Sequence, residues 1–430
     1  MKLKNQFLRK LLRITKLYII DIRTELSLYR WLGGKKYIDY YKFDVAIFNE
    51  NKKPKSPKVL IYNKNLPALG GGEKHMALFC KYFELYNSEA IIHILVEDSR
   101  SICVFDPKYP TIQDINKQFN IDLSKTSIIK RKAINQDFLT KFSFNYDIFI
   151  NSTIDSRLIG FAKRNFYNCM FPPKKEDNDD LLNQLFKKSY LCFISNSDFT
   201  NQWLHRYWGY EIQSQCIYPP VFTEHEIFSR IKKPKKNIIL SVGRFFFGAH
   251  SKRQDIMIDF WNNNHNEFIG WELHLVGNRQ INKEDKKYIE DIILKASKGC
   301  NIFLHFDMPI GDLHKLYESA KIYWHATGFG VDVDVNPEKM EHFGITTVEA
   351  MSYGIIPIVI NKGGQCEIVD HGINGYKWDT LNEWIEYNRI VIDNYELQQK
   401  ISNEAINKSY NYSVENFYTN CDRIFSEKIL

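Results

Sequence analysis

No stretch of about 18 uncharged apolar residues occurs in this sequence, so no membrane-spanning helix is expected. The N-terminus does not predict a signal peptide, because charged residues interrupt every apolar run that could form its core. The eight cysteines are scattered and form neither a Cys-x-x-Cys pair nor a zinc-ligand spacing. This excludes a structural zinc site and favours buried free thiols in a reducing cytosol.

Several catalytic motifs are also missing. The sequence has no Ser-His-Asp nucleophile elbow, no His-Glu-x-x-His helix and no Gly-x-x-x-x-Gly-Lys-Ser/Thr phosphate loop. These absences argue against serine hydrolases, zinc proteases and P-loop enzymes. Basic charge is concentrated at the N-terminus and in one internal stretch, so we expect no nucleic-acid partner.

The chain does have the length for two domains, with 430 residues of ordinary apolar and charged content. Its net charge of +7 is uneven, since residues 1–16 carry six Lys and Arg residues and no acid precedes Asp21. Apolar residues recur there at roughly helical spacing. Two interpretations stay open for residues 1–30: an amphipathic helix in a membrane interface, or a solvated extension.

Apolar runs that alternate with helical patterns predict parallel βαβ units on both sides of the basic stretch 230–237. We expect an N-terminal extension over 1–55, a first domain over 56–229, a second over 230–405 and a C-terminal helix over 406–430. Each domain is predicted to be a doubly wound α/β sheet, with a cleft between the carboxyl ends of the two sheets. The predicted strands are 59–62, 90–96, 146–150, 191–194, 238–242, 272–276, 301–304, 321–325 and 355–360.

The most informative segment runs from Glu341 to Glu349, between two predicted strands. Its glycine, Gly344, precedes a helix start, where backbone amides bind phosphate. A carboxylate in the first helical turns can accept the hydroxyls of a ribose, which suits Glu349, while Glu341 in the loop could meet a sugar hydroxyl. The alternative is that both are ordinary capping and surface acids.

Three other segments are expected to face the same cleft. Gly70–Gly72 opens a helix after the first strand, Gly243 and Arg244 with Lys252 follow a later strand, and Gly363–Gly364 makes a turn. Each of these segments, taken alone, could instead be a turn or a solvated basic loop with no role in ligand binding. Asp332 and Asp334 resemble the Asp-x-Asp motif of metal-dependent sugar transferases, but they lie in a loop of turn residues, so we expect no metal site.

Taken in order, these segments resemble family-4 retaining glycosyltransferases of the GT-B fold, from about residue 56 to the C-terminus. The resemblance implies two Rossmann-like domains facing a central cleft, and a nucleotide-sugar donor, UDP- or GDP-linked, as substrate with no cofactor. It also assigns Met308 to the base and Gly71 and Gly72 to an approach from the first domain. A family histidine near a Phe-Pro segment is missing here around Phe171–Pro172, which makes Asn151, Ser152 and Thr153 the substitutes to inspect.

The residues assigned by this resemblance fall into two sets. The catalytic set is Glu341, Arg244 and Lys252. The donor-binding set is Gly71, Gly72, Arg244, Lys252, Met308, Phe343, Gly344, Ile345, Thr346 and Glu349.

The function implied is a retaining, metal-independent hexosyltransferase that extends a lipid-linked bacterial surface polysaccharide, such as O-antigen or capsule. We expect it in the cytoplasm, with peripheral contact to the inner face of the membrane if residues 1–30 bind lipid. Two alternatives remain: a transferase with a small soluble acceptor, and a non-catalytic partner in glycan assembly.

Overall fold

A computed structural model of the chain describes residues 56–64, 70–97, 110–153, 156–174, 181–229, 234–248, 250–279 and 283–429. The predicted extension 1–55 and residues 230–233 of the basic stretch 230–237 lie outside these ranges. Within them, the chain forms two compact units. Unit 1 contains the residues up to Ile194, Tyr207–Gln215 and the chain from Ile424, while unit 2 contains Ser195–Arg206 and Cys216–Arg423.

Unit 1 is built on a seven-stranded sheet in the order β3-β2-β1-β4-β5-β6-β7. Its strands are β1 (Lys58–Tyr62), β2 (Ile91–Glu97), β3 (Thr126–Arg131), β4 (Ile148–Asn151), β5 (Arg164–Cys169), β6 (Cys192–Ser195) and β7 (Ser214–Cys216). Its helices are α1 (Gly71–Tyr86), α2 (Ile112–Phe119), α3 (Gln136–Ser143) and α4 (Leu181–Ser189). The next helix, α5 (Asp198–Trp208), lies in unit 2 except for its last two residues.

Unit 2 repeats this order in a six-stranded sheet, β10-β9-β8-β11-β12-β13. Its strands are β8 (Ile238–Val242), β9 (Glu272–Gly277), β10 (Ile302–Phe306), β11 (Ile322–His325), β12 (Ile356–Ile360) and β13 (Tyr376–Trp378). Its helices are α6 (Glu224–Phe228), α7 (Gln254–Asn263), α8 (Lys283–Ala296), α9 (Ile310–Ser319), α10 (Ile345–Ser352), α11 (Gln365–Ile368), α12 (Leu381–Asp393), α13 (Tyr395–Ser409) and α14 (Val414–Ile429).

Both faces of the unit 2 sheet are covered, as buried apolar strands require. One face packs on α7, α8 and α12 through an aromatic stack in which the rings of Trp378 and Trp384 lie 4.4 Å apart and those of Phe260 and Trp384 lie 4.0 Å apart. Trp324 completes the stack and donates its indole N–H to Asn388 at 3.0 Å. This rigid face fixes β11, the strand that leads into the Glu341 loop.

The core of unit 1 includes the end of α14. Phe425 on that helix packs against Phe79, Phe83 and Phe166, with ring centroids 4.8–6.0 Å apart. The helix is counted with unit 2 up to Arg423 and with unit 1 from Ile424. The domain limits expected from the sequence stay predictions.

The predicted fold class is confirmed, since both sheets are doubly wound and every strand pair of known register is parallel. The predicted strands are present within one or two residues of their expected bounds, but β3, β5, β7 and β13 were missed. β3 and β7 are edge strands with polar, half-exposed residues, and β13 has three residues, so none shows a buried apolar run. β5 is buried but carries Arg164, Asn165 and Asn168.

The cysteine prediction is right for Cys80, Cys169, Cys192 and Cys421, which are buried free thiols. It is wrong for Cys300 and Cys366, which are exposed because they lie in a turn and in the short helix α11. Cys103 lies outside the described residues. No helix within the described ranges has the length and apolar character needed to span a bilayer.

Gly277 makes the closest backbone approach at the carboxyl edge of the unit 2 sheet. A Cβ added there would lie 2.0 Å from the carbonyl oxygen of Gly243, which follows β8. Neither backbone segment can move without disturbing the parallel β8–β9 ladder. This contact therefore sets the path of the chain that leads to Arg244.

We predict that Gly277→Ala lowers the free energy of unfolding by about 1–3 kcal/mol, the usual cost of overpacking. Gly311→Ala in α9 is the matched control, because a Cβ at Gly311 meets nothing within 4 Å and alanine favours a helix. Urea unfolding of both variants measures the difference. An unchanged midpoint for Gly277→Ala would contradict the proposed packing constraint.

Candidate functional site

The candidate site lies at the topological switch point of unit 2. There β8 and β11 are neighbours in the sheet. The chain continues from β8 to β9 toward one edge of the sheet, and from β11 to β12 toward the other edge. Open α/β sheets bind ligands in the crevice at this point, outside the carboxyl ends of the strands. Gly243 and Arg244 follow β8, and the loop that leads to Glu341 and α10 follows β11.

A buried carboxylate with two nitrogen donors forms the centre of the site. The Lys252 ammonium forms an ion pair with Oε2 of Glu341, and His325 Nε2 lies 3.1 Å from the same oxygen. The three side chains are 17%, 16% and 3% exposed for Lys252, Glu341 and His325, respectively. We call these three residues the Glu341 cluster.

Opposing effects set the protonation of this cluster. Burial raises the pKa of Glu341, but the charge of Lys252 and the hydrogen bond from His325 outweigh it and hold the pKa well below its usual range. Burial also lowers the pKa of His325, against the opposing influence of Glu341. Glu341 is therefore ionised at neutral pH, while His325 is neutral, and Lys252 supplies the cation.

Two further imidazoles lie next to the cluster. The rings of His250 and His342 meet edge to face with centroids 4.2 Å apart. His250 Nδ1 lies 2.9 Å from the carbonyl oxygen of Met340, one residue before Glu341. Burial lowers the pKa of both rings, that of His342 to about 3, so neither adds charge at neutral pH.

The backbone of the Glu341 loop is fixed from two sides. The amide of Gly364 donates to the carbonyl of Glu341 at 2.8 Å, which ties the loop to the turn after β12. Phe343, only 3% exposed, packs its ring between Tyr218 and Tyr412 at centroid distances of 5.5 and 5.3 Å. Gly363–Gly364, predicted as a mainly structural turn, thus supports the loop that carries Glu341.

Gly344 turns this loop into α10. Its φ of +118° is open to glycine and strained for other residues, and a Cβ would lie 2.1 Å from Nε2 of Gln365. The amides at the start of a helix have no intrahelical acceptors, so those of Ile345 and Thr346 are available to an anion. Thr346 Oγ1 is held 2.7 Å from the hydroxyl of Tyr323.

Glu349 lies one turn further along α10. Its Oε2 accepts a hydrogen bond at 3.0 Å from the hydroxyl of Tyr317, a residue of α9. Burial, followed by the charge of Glu349, raises the pKa of Tyr317 well above its usual value, so the phenol is neutral and donates. Glu349 is partly buried and is thus oriented at the same sheet edge as Glu341.

The remaining predicted residues of unit 2 are Arg244, which is exposed, and Met308, which is partly buried. The Arg244 guanidinium carbon lies 5.1 Å from the centre of the Phe246 ring, and no ion pair to another described residue holds it. Met308 precedes α9 and packs against the cluster of buried residues that includes Tyr317 and Tyr323. Their predicted contacts with a donor stay predictions.

Gly71 and Gly72 lie in unit 1, in the first turn of α1 after Gly70. The carboxylate of Glu73 accepts the Gly70 amide at 2.8 Å, so the helix start is capped within its own unit. Their predicted contact with a donor stays a prediction. In the same unit, Asn151 is fully buried and bonded to Thr153 and Tyr190, which makes it a structural residue and a poor substitute for a ligand-binding histidine.

Sequence reasoning missed His325, Tyr317 and the structural role of Glu367. The first two sit in an apolar strand and an ordinary amphipathic helix, and only the fold brings them to Glu341 and Glu349. Glu367 accepts hydrogen bonds from the amides of Asp198 and Phe199 at 2.8 and 3.1 Å, and so caps the N-terminus of α5. Asp334 is engaged by Arg206 at 3.1 Å, and Asp332 accepts its amide.

Part of the chain matches a known protein family, and several known proteins are similar to it in sequence. Residues 222–408 match the family "Glycosyl transferases group 1". A "GDP-Man:Man(3)GlcNAc(2)-PP-Dol alpha-1,2-mannosyltransferase" of Dictyostelium discoideum is 24% identical over 294 residues, which is 65% of this chain and 53% of the relative. A protein of the same description from Yarrowia lipolytica is 28% identical over 206 residues, 44% of this chain and 30% of the relative. The chain thus spans about half, or less, of these curated relatives.

Two solved structures are similar in fold. A glycosyltransferase from Rickettsia africae has a TM-score of 0.64 at 16% identity, covering 86% of this chain and 98% of its own. Anabaena HepE in complex with UDP-glucose has a TM-score of 0.62 at 16% identity, covering 86% of this chain and all of its own. The chain therefore has the GT-B glycosyltransferase fold, and its residues 222–408 carry the signature of the glycosyl transferases group 1 family.

Proposed function

We propose that this protein transfers a sugar from a nucleotide-sugar to a lipid-linked glycan, with retention at the anomeric carbon and without a resident metal ion. The observation that carries the proposal is the Glu341 cluster at the start of α10, with Glu349 held one turn away by Tyr317. Cations, helix amides and two oriented carboxylates together suit a diphosphate that joins a ribose to a sugar.

The diphosphate would lie against the α10 amides, Lys252 and Arg244. As the glycosidic bond breaks, the electron pair stays with the departing phosphate, whose negative charge rises. Fixed cations and helix amides aimed at that charge stabilise the transition state more than the ground state. These groups would neutralise the charge of the leaving diphosphate, which a divalent cation neutralises in other transferases, and this supports a metal-independent reaction.

Glu349 would hold the ribose by accepting its two hydroxyls, with Tyr317 fixing the carboxylate. Glu341 would meet a hydroxyl of the donor sugar, and Met308 would pack near the base.

UDP- and GDP-linked donors are both supported. HepE was solved in complex with UDP-glucose, and the descriptions of the curated relatives name GDP-Man.

The ionised state of Glu341 supports retention. A carboxylate whose pKa is held well below its usual range is a poor base and a poor nucleophile. In the proposed reaction the acceptor hydroxyl attacks from the face that the diphosphate leaves. The new C–O bond forms as the old one breaks, and the hydroxyl proton passes to the leaving phosphate oxygen.

The acceptor assignment rests on the relatives and the N-terminus. The Dictyostelium and Yarrowia proteins are described as acting on a glycan attached to PP-Dol, a lipid diphosphate. We propose a lipid-linked acceptor here too, with a bacterial surface polysaccharide as its narrower form. The basic residues 1–30 would then bring the protein to the cytoplasmic face of a membrane, and those residues lie outside the described structure.

The test is a transfer assay with the full chain. UDP-glucose, GDP-mannose, ADP-glucose and dTDP-glucose are each supplied with a polyprenyl-diphosphate-linked glycan or with a soluble glycoside. We expect one nucleotide class to raise the melting temperature and to support transfer to the lipid-linked acceptor. Transfer to the soluble glycoside alone would contradict the acceptor proposal, and no transfer from any donor would contradict the function.

Retention and metal independence have their own prediction. With a matched donor, EDTA at a concentration above all added metal leaves the initial rate unchanged. The anomeric proton coupling of the first product, followed by NMR, matches that of the donor. Loss of activity in EDTA that added Mg²⁺ or Mn²⁺ restores would overturn the metal-independent mechanism, and an inverted coupling would overturn retention.

Glu349→Ala is predicted to weaken binding of the nucleoside diphosphate by about 2–4 kcal/mol, because two charge-assisted hydrogen bonds are lost. Tyr317→Phe should cost less, about 1 kcal/mol, since the carboxylate remains but loses one donor. Glu386→Ala on the exposed side of α12 is the matched control and should bind as the wild type does. Calorimetry with UDP and GDP measures all three, and equal affinities for Glu349→Ala and wild type would refute the ribose assignment.

A further inference from the structure

The two oxygens of the Glu341 carboxylate have different surroundings. Lys252 and His325 both contact Oε2, and within the described residues Oε1 has no hydrogen-bond partner. A carboxylate accepts about four hydrogen bonds, so the accepting capacity of Oε1 is unused. Since 16% of the side chain is exposed, a ligand at the carboxyl edge can reach this group.

His325 is the donor to Oε2 that the chain fixes most firmly. It is the last residue of β11, its side chain is 3% exposed, and its strand pairs with β12 through His325 and Val359. Because Glu341 is ionised, it only accepts, so the proton of the imidazole must be on Nε2. Nδ1 is buried and has no donor among the described residues, which is tolerable for a neutral acceptor nitrogen and costly for a protonated one.

Lys252 alone would not orient the carboxylate. An ammonium is a point charge on a flexible stem, and it attracts either oxygen from many directions. A second donor from a rigid strand, aimed at the same oxygen, selects one rotation of the carboxylate. Oε1 is then directed away from both donors.

We propose that His325 is a positioning residue, whose neutral Nε2–H locks Oε2 of Glu341 so that Oε1 is presented to a hydroxyl of the donor sugar. This inference rests on the proposed function and assigns the sugar contact to one atom. It separates two recognition steps, because the sugar-free nucleotide uses Arg244, Lys252, the α10 amides and Glu349, whereas only a nucleotide-sugar also uses Oε1.

Three substitutions test the proposal in the full chain. His325→Gln can keep an N–H donor near the position of Nε2, whereas His325→Asn is too short to reach Glu341 and His325→Leu has no donor. His274→Leu is the control, because His274 is also a mostly buried histidine of the unit 2 sheet but is bonded to Glu272 and His305. The probes are UDP, UDP-glucose, GDP and GDP-mannose, with binding measured by calorimetry and turnover by transfer.

We expect His325→Leu and His325→Asn to lose about 10- to 100-fold in kcat/KM and in affinity for the nucleotide-sugar that the wild type uses, the size of one charge-assisted hydrogen bond. Affinity for the sugar-free nucleotide should change less than threefold, and His325→Gln should recover most of the loss. Equal losses for nucleotide and nucleotide-sugar, or no recovery in His325→Gln, would overturn the positioning role.

Binding by the wild type and a check of folding keep the outcomes distinct. If the wild type binds none of the four probes, the proposed function fails, and this inference with it; if it binds them and His325→Leu is unchanged, this inference alone fails. Should His325→Leu fold poorly by circular dichroism, His325→Asn and His325→Gln still give the comparison.

In the wild type, ¹⁵N NMR of the histidines should show His325 as the Nε2–H tautomer between pH 6 and 8, and an Nδ1–H tautomer would refute the assignment.

Discussion

The ionised carboxylate of Glu341 is the constraint around which the carboxyl edge of unit 2 is organised. Three segments that follow three different strands meet at this residue: Lys252 arrives after β8, His325 ends β11, and the turn after β12 holds the Glu341 carbonyl through Gly364. A buried carboxylate without these partners would be protonated or would move to solvent. The ionised state therefore depends on the packed sheet, and the loop geometry in turn depends on the ionised state.

The same interaction keeps positive charge in place before any ligand arrives. Lys252 is paired with Glu341, three residues before Gly344, and α10 begins directly after Gly344, so the ammonium and the first helix amides both favour an anion there. Glu341 neutralises Lys252 in the ligand-free protein and holds its stem against Gly243, where a Cβ would lie 2.5 Å from Cγ of Lys252. A diphosphate brings more negative charge than the single carboxylate does, so we expect it to draw on Lys252 without a large rearrangement of the loop.

Local sequence patterns predicted the strands, the helix start and the carboxylates of this site. They did not predict the contacts that depend on packing between distant segments. Alternating apolar runs predicted the central strands, and Gly344 followed by Glu349 predicted the helix start and its carboxylate. His325 lies inside the apolar run Tyr323–His325, so its local pattern indicates a core residue, and its contact with Glu341 spans 16 positions. Tyr317 looks like one more buried aromatic residue of α9 until the fold brings its hydroxyl to Glu349, 32 positions away. Edge strands such as β3 were missed because a half-exposed strand has no continuous apolar run.

The two glutamates also differ in what their surroundings allow them to do. Glu349 accepts a hydrogen bond from the neutral phenol of Tyr317, while Glu341 is held by a cation and an imidazole on one oxygen. The lowered pKa keeps the Glu341 carboxylate ionised, so that it only accepts hydrogen bonds, and it also makes the group a weak base. If Glu341 anchors a sugar hydroxyl as proposed, the same contacts with Lys252 and His325 make it a poor proton acceptor in turnover. The group left to take the acceptor proton in the proposed reaction is the phosphate oxygen that departs from the same face.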